Sequence, residues 1–585
     1  MHSILSLLVS VLFLLASHLP GLVNSIDFIS DFLTGVPYYS LQTSADFLDD
    51  ITDLNIKKLD DNTGFIKDTL LVFMKEQHSL PERYKAFKSV GGRCIGYLQP
   101  ANLFVLKAPF DTLEAMEILV QRLEESESVL YAGGSFAFKR EENYTPNDPF
   151  DDLEDGSDIW DESNPGGSTW WLEAVEARNA WGYAELFNDV KVGIIDSGFE
   201  LEHEELAGKI SFPKNWLKAR NIPSSHGTHV AGIIAAKADN GVGISGLAPH
   251  AKLVCIDWQR EPGQVWSENL SIIFGVGYSI KAGAGVINLS LGSSRFIPEG
   301  KSGYPKYAMD YEAGLISFYM AILLNQGHDF LMVQSAGNGD SKGKPVDAFN
   351  NGTFCCINAK NSKAHLLGIP TAEVLDRIIV VGSAENLSNA RFRQVSYSNV
   401  GEQVDICAPG RQIYSCTDFA NNDYEYKSGT SMAAPVVSAT AGLVWSVSPK
   451  LKGSQVKAIV CDPANTRYTA APTPVANRFW EDLTYEDLPL VNSKGAVEAA
   501  IKTVYDSLEV YGKAVDSEEN PLACEIEVRG SVKTFKFSAA ADGKFSFVLP
   551  RDNFSISFKT DEGLKEIILD DQGDQVVDLG FITLP

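Results

Sequence analysis

Val190-Lys-Val-Gly-Ile-Ile-Asp196 is the stretch on which the fold reading turns. Apart from Lys191 it is apolar without alternation before its aspartate, the pattern of a strand covered on both faces in a parallel sheet. Ser197-Gly198 then turns the chain. Working outward, Ala251–Ile256, Gly285–Leu289, Phe330–Gln334 and Arg377–Val381 read as strands of the same kind. His229–Lys237 and Ser271–Ala282 read as intervening helices. Strands alternating with helices from Trp170 to about Thr503 predict a doubly wound α/β domain with a parallel sheet. Such sheets collect their reactive groups at the carboxyl ends of the strands, where Asp196 stands.

The flanks differ from this centre. Asp68–Met74, Ala101–Lys107 and Ser128–Ala132 read as strands, and Arg83–Phe87 and Leu113–Leu123 have helical spacing. Together they predict an α+β unit. Residues 508–585 carry short strands and turns at Asp542-Gly543 and Asp561-Glu562-Gly563, which predicts a small all-β sandwich. At the start, Ile4–Ala16 is an apolar run too short for a membrane span, broken at Pro20-Gly21 and followed by Val23-Asn24-Ser25. It reads as a cleaved leader of an exported protein, with no integral membrane association expected once it is removed. The expected division is a leader over 1–25, an Asp-rich linker over 26–65, the α+β unit over 66–140, the α/β domain over 144–503 and the sandwich over 508–585.

Composition narrows the function. The 585 residues carry 49 Lys and Arg against 76 Asp and Glu, a formal net charge of −27. A phosphate-binding surface needs the opposite sign, so nucleic acid is excluded as the main partner, as is adhesion to anionic membranes. The Asp151–Glu162 stretch holds seven carboxylates in twelve residues and reads as a solvated surface loop. Eight cysteines with no C-x-x-C spacing give no support to a zinc ribbon or a dithiol redox site. Export permits one or two disulfides, and Cys407 with Cys416 is the closest non-adjacent pair.

A nucleophilic hydrolase needs a nucleophile, a base for its proton and a group that orients the base. Asp196 ends a strand, His226 opens a helix in His226-Gly-Thr-His-Val-Ala-Gly232, and Ser431 opens another in Gly429-Thr-Ser-Met-Ala-Ala-Pro435. Taken together, in this order, the three segments resemble the subtilisin-like serine proteases, whose triad runs Asp, His, Ser along the chain. Val286-Ile-Asn-Leu-Ser-Leu-Gly292 resembles that family's substrate-pairing strand, which assigns Ser290, Leu291 and Gly292 to the primary specificity pocket. Ser335-Ala-Gly-Asn338 resembles the segment presenting the oxyanion-hole asparagine, Asn338. Tyr144–Pro149 resembles the start of the mature chain in some bacterial members, and Leu490–Ala496 the closing segment of their catalytic domain.

By this resemblance Ser431 attacks, His226 accepts its proton, Asp196 orients the imidazole, and Asn338 with the Ser431 N–H stabilises the oxyanion. A neutral His226 is required, so activity is expected at neutral to alkaline pH. No cofactor is implied for catalysis. Structural calcium is implied by the loop Lys237–Leu247, with Asp148 and Glu205 as acidic ligands, the Asn240 side chain, and carbonyls of Lys237, Val242 and Ile244. Residues 68–138 resemble the family's inhibitor-type propeptide, and the tail resembles the prealbumin-like domain of carboxypeptidases. The implied partners are protein or peptide substrates and the chain's own propeptide. His229 reads as a helix residue supporting the site rather than a second base. His203-Glu-Glu-Leu-Ala207 lacks the second histidine of a zinc-protease motif. Specificity is expected to depend on loops around Leu291, Ala336 and an insertion over Ser293–Asp329.

Overall fold

The structure, a computed structural model, describes residues 56–58, 63–75, 80–98, 102–138, 170–211, 224–238, 240, 243–257, 268–292, 304–339, 343–388, 391–417, 424–467, 488–540, 542–560, 563–569, 573 and 575–584. The leader, the Tyr144–Pro149 segment and the Asp151–Glu162 stretch lie outside these residues, as do Asp148 and Val242.

Alternation organises the N-terminal unit. Strands β1 (Ile56–Lys58), β2 (Thr63–Met74), β3 (Arg93–Leu98), β4 (Leu103–Lys107) and β5 (Val129–Phe138) form one antiparallel sheet, with helices α1 (Leu80–Ser89) and α2 (Leu113–Glu124) between strands. Along β2, Leu70, Val72 and Met74 pack with Phe87, Met116, Val120 and Leu123 of the two helices. Leu71 and Phe73 point the other way, into a core shared with the central domain. A strand with period two thus serves two cores at once.

The central sheet is built from the buried runs, and each of the five strands starts one residue later than its apolar run. They are β6 (Lys191–Asp196), β8 (Lys252–Asp257), β9 (Val286–Leu289), β10 (Leu331–Ser335) and β11 (Ile378–Ser388), joined by β7 (Ile210–Ser211), β12 (Arg391–Gln394) and β13 (Ile406–Pro409). The eight-stranded order is β12-β11-β10-β9-β6-β8-β7, with β13 also paired to β11, and only β12 runs antiparallel to its neighbour. Pairing reaches past the apolar residues to Asp196, which lies opposite Asp257. Backbone ladders take in polar end residues that hydrophobicity does not mark.

Helices α3 (Ser225–Ala235), α4 (Glu268–Lys281) and α5 (Tyr304–Asn325) connect these strands. The described part of the Ser293–Asp329 insertion forms the 22-residue α5, whose Met309, Leu315, Phe318 and Leu323 are buried. The β14 (Ile413–Cys416) and β15 (Tyr424–Lys427) hairpin precedes α6 (Thr430–Val447). Helix α6 is long and apolar enough to cross a membrane, but it is 89% buried inside this fold, as a helix apolar all round must be. Helix α7 (Ser493–Val504) leads directly into the C-terminal unit.

That unit has two sheets. The order β19-β16-β22 is built from Lys544–Pro550, Ser507–Val515 and Val576–Thr583. The order β18-β17-β20-β21 is built from Thr534–Ser538, Glu525–Arg529, Phe554–Lys559 and Leu564–Leu569. All eight cysteines are free, and burial pushes thiols such as Cys407 up to about 12, away from reactivity.

Candidate active site

Strand β6 has β8 on one side and β9 on the other, so the sheet's connections diverge beside Asp196 and open a crevice at the strand ends. Asp196 is buried, and its Oδ1 accepts from Ser197 N at 2.6 Å and Ser197 Oγ at 3.2 Å. The same oxygen lies 2.7 Å from His226 Nδ1. Because a carboxylate only accepts, this contact places the imidazole proton on Nδ1 and leaves Nε2 as the acceptor. His226 is the second residue of α3, whose cap, Ser224 Oγ, accepts from His226 N at 3.4 Å. Asp257 accepts from Gly198 N at 3.0 Å, which fixes the turn after Asp196.

Ser431 stands in the first turn of α6, where backbone N–H groups have no intrahelical partner. Its cap residue, Gly429, has φ +155°, a region glycine tolerates best. A Cβ there would lie 3.2 Å from Asn338 Nδ2 and 3.7 Å from Ser431 N. The absent side chain therefore leaves open a space lined by two N–H donors. Pro435 cannot donate to the carbonyl four residues back, so Ser431 O is free within the helix. Ser290 Oγ takes it at 2.7 Å, and Ser431 Oγ donates to Ser290 O at 3.4 Å. The proline thus frees the atom that ties Ser290 to helix α6.

Asn338 is held in one orientation. Its Oδ1 accepts from Thr430 N at 2.8 Å and Thr430 Oγ1 at 2.9 Å, which turns Nδ2 toward the open space. Gly337 N donates to Thr430 Oγ1 at 3.0 Å. Below, Asn399 Oδ1 accepts from Gly339 N and Val346 N, each at 3.0 Å, while its Nδ2 donates to Ala336 O at 2.8 Å. Leu291 O accepts from Gln334 Nε2 at 3.2 Å and Ser335 Oγ at 3.4 Å, joining the Ser290–Gly292 segment to the neighbouring strand. Sequence reasoning missed the roles of Thr430 and Asn399. Thr430 lies inside the quoted glycine-serine motif, whereas Asn399 carries no local signal.

His229 is buried in α3, where its Nε2 lies 2.9 Å from Ile413 O and 3.1 Å from Glu425 O. Burial, reinforced by Lys427, drives it down to about 3, so it stays neutral and bonds the β14–β15 hairpin. The described members of the expected calcium set do come together. Glu205, fully buried, accepts from Ile244 N at 3.0 Å, Asn240 Nδ2 at 2.9 Å and Tyr424 OH at 3.4 Å. Burial raises its carboxyl against these bonds. Lys237 Nζ donates to the adjacent Glu204 O at 2.7 Å. Both Glu205 oxygens face donors rather than an oxygen-lined cavity, and a cation would have to displace them. As arranged, these bonds occupy the Glu205 oxygens that calcium would need. Among the described residues there is no group of three His, Cys, Asp or Glu placed to hold one.

Comparison with known proteins agrees with this geometry. The subtilase family model matches residues 188–483, half of the chain. A thermophilic serine proteinase of Bacillus sp. (strain AK1) is 28% identical over 403 residues, covering 68% of this chain and 82% of that protein. Subtilisin DY of Bacillus licheniformis is 32% identical over 274 residues, covering 46% of this chain and 81% of its own. Among solved structures, fervidolysin from Fervidobacterium pennivorans, described as a keratinolytic enzyme related to subtilisin, has a TM-score of 0.50 at 19% identity, covering 91% of this chain and 82% of its own. That last likeness concerns the fold alone. With its α/β sheet, its strand-end crevice and these relatives, the chain belongs to the subtilase family and is a subtilisin-like serine peptidase.

Proposed function

We propose that the chain is an exported serine endopeptidase, made as a zymogen, that hydrolyses protein or peptide bonds through Asp196, His226 and Ser431. One observation carries the reading. The 2.7 Å bond from His226 Nδ1 to Asp196 leaves Nε2 as the ring's acceptor, and α3, which carries His226, packs on α6, which carries Ser431. In the proposed cycle Ser431 Oγ attacks the acyl carbon as its proton passes to His226 Nε2. Asp196 stabilises the imidazolium, and Asn338 Nδ2 with Ser431 N donates to the carbonyl oxygen as it gains charge. His226 then protonates the leaving amine, and water, deprotonated by the same imidazole, releases the acyl group. The set needs no cofactor.

The apolar Ile4–Ala16 run supports export. The N-terminal unit, packed by one sheet face on α4 and α5, supports a zymogen in which residues 66–140 act as propeptide before a mature chain beginning near Tyr144. A fluorophosphonate probe tests the catalytic reading. The processed chain should label at Ser431, and Ser431→Ala should remove both the label and peptide hydrolysis. Labelling that survives in Ser431→Ala, or none in the processed chain, sinks it.

A further inference from the structure

Two glycines flank the reacting groups. Gly292 lies two residues after Ser290, whose carbonyl accepts from Ser431 Oγ, and Gly337 immediately precedes Asn338. Both backbone segments turn toward a third side chain, that of Asn351. A Cβ built on Gly292 would overlap the Asn351 carboxamide, and one on Gly337 would come within 2.8 Å of its Oδ1. The slot between these side-chain-free walls is therefore already filled by an amide.

That amide is firmly seated. Asn351 is 3% exposed, and its Nδ2 donates to Ser335 O at 2.8 Å. It ends a short turn, Ala348–Asn351, whose cap Asp347 accepts from Phe349 N at 2.8 Å. The chain then passes through two left-handed residues, Gly352 at φ +72° and Thr353 at φ +55°. A threonine rarely adopts that conformation, and Glu312 of α5 holds it there. Its buried Oε1 accepts from Thr353 N at 3.2 Å and Thr353 Oγ1 at 3.4 Å. The α5 insertion thus fixes the position of Asn351 through Glu312 and Thr353.

We infer that Asn351 is a specificity-determining residue. Its carboxamide closes the slot beside Ser431 and Asn338, restricting the residue that supplies the scissile carbonyl to Gly, Ala or Ser. The inference rests on the peptidase reading proposed above. A bulky side chain at that substrate position would have to expel a buried amide from its bond to Ser335 O, whereas a methyl or smaller group stops short of it. Pocket exclusion of this kind discriminates by about 10- to 100-fold.

The test uses the full chain after processing and a peptide series varied only at the acyl-side residue: Ala, Ser, Leu and Phe. The parent should favour Ala over Phe by about 10-fold or more in kcat/KM. Asn351→Gly should raise the Phe-to-Ala ratio by about 10- to 100-fold, chiefly through KM. An unchanged ratio in Asn351→Gly overturns the inference. So does a parent enzyme that cleaves after Phe or Leu as well as after Ala, a result needing no variant to fold, and either outcome leaves the peptidase reading standing. If the parent hydrolyses none of the peptides, the peptidase reading fails and the inference with it.

Discussion

The N-terminal sheet meets the central domain ring against ring, whereas the C-terminal sheets, which continue the central domain's own apolar core, add to it a bonded tyrosine and a frame of hydrogen bonds. On the first face Phe73 lies 5.0 Å from Phe318 edge-on and 6.3 Å from Tyr131, and Tyr131 lies 5.1 Å from Phe318. Gly133 lets Tyr311 lie close on β5, and Gly134 N donates to its hydroxyl at 3.3 Å. On the second face Tyr183 is fully buried, its ring 5.0 Å from Phe537. Its hydroxyl donates to Glu498 at 2.7 Å and accepts from Val548 N at 2.9 Å. Lys494 Nζ adds a bond to Ser546 Oγ at 3.1 Å, and Lys536 N donates to Gly182 O at 3.4 Å. Apolar contact is non-directional and can part along its whole face, while a tyrosine bonded on both sides holds one position. The difference matches the proposed zymogen, in which the N-terminal unit has to leave.

The largest expected effect comes from emptying the first face. In a Ser431→Ala background, which keeps the chain unprocessed, Phe73→Ala should cost the N-terminal unit about 3–5 kcal/mol, the usual range for a buried ring. Urea unfolding followed by hydrogen exchange in residues 63–138 would register it. The C-terminal unit's exchange should not move. If both ends loosen together, the two junctions are one cooperative unit and the contrast is wrong.

Tyr183→Phe should cost less, about 1–3 kcal/mol, because it keeps the ring and strands Val548 N and Glu498 without their shared hydroxyl. The loss should appear in the melting of residues 507–584 and leave the N-terminal unit's exchange unchanged. An equal loss at both ends would again merge the junctions.

Much of the central domain was legible because buried parallel strands write continuous apolar runs, and because Asp196, His226 and Ser431 sit in short segments of distinctive small residues. The rest was hidden by the range of the contacts. Asn399 supports Ala336 and Gly339 from about sixty residues away, and Tyr183 reaches Val548 across 365 positions. Neither bond leaves a mark on the residues around it. Helix α5 was not read from the sequence because its apolar residues face several partners, so no single stripe emerges. Glu205 and Asn240 do meet, but the orientation of an amide against a carboxylate is a tertiary fact that spacing does not encode.

A pH series sharpens the second junction further. Burial raises the Glu498 carboxyl above its ordinary value of 4.5, with Lys494 and the Tyr183 hydroxyl opposing. A raised folded value means the folded state holds the proton more tightly. Its contribution is full below about pH 4.5 and is lost as pH rises through the folded value. The difference in urea-unfolding free energy between parent and Glu498→Gln should therefore change across that window and be flat above it, with a slope no steeper than about 1.4 kcal/mol per pH unit. A difference that is constant through the window shows that Glu498 does not titrate differently on folding.

The smallest effect should come from the ion pair at the edge of the same junction. Lys502 Nζ lies 2.7 Å from Glu509 Oε2, and the two side chains are 51% and 38% exposed. Water screens such a pair, and holding two long side chains together costs entropy, so Lys502→Ala should lower stability by only about 0–1 kcal/mol. Whatever loss there is should vanish in about 1 M salt, where the screening length falls to roughly 3 Å. Tyr183→Phe should keep its full cost in the same salt, because its bonds are buried and short. The two variants measured at low and high salt therefore separate the candidates for what holds the C-terminal unit. A Lys502→Ala loss equal to that of Tyr183→Phe, and abolished by salt, would make the junction electrostatic. It would then be the more easily parted of the two faces, and the N-terminal ring contact the more durable one.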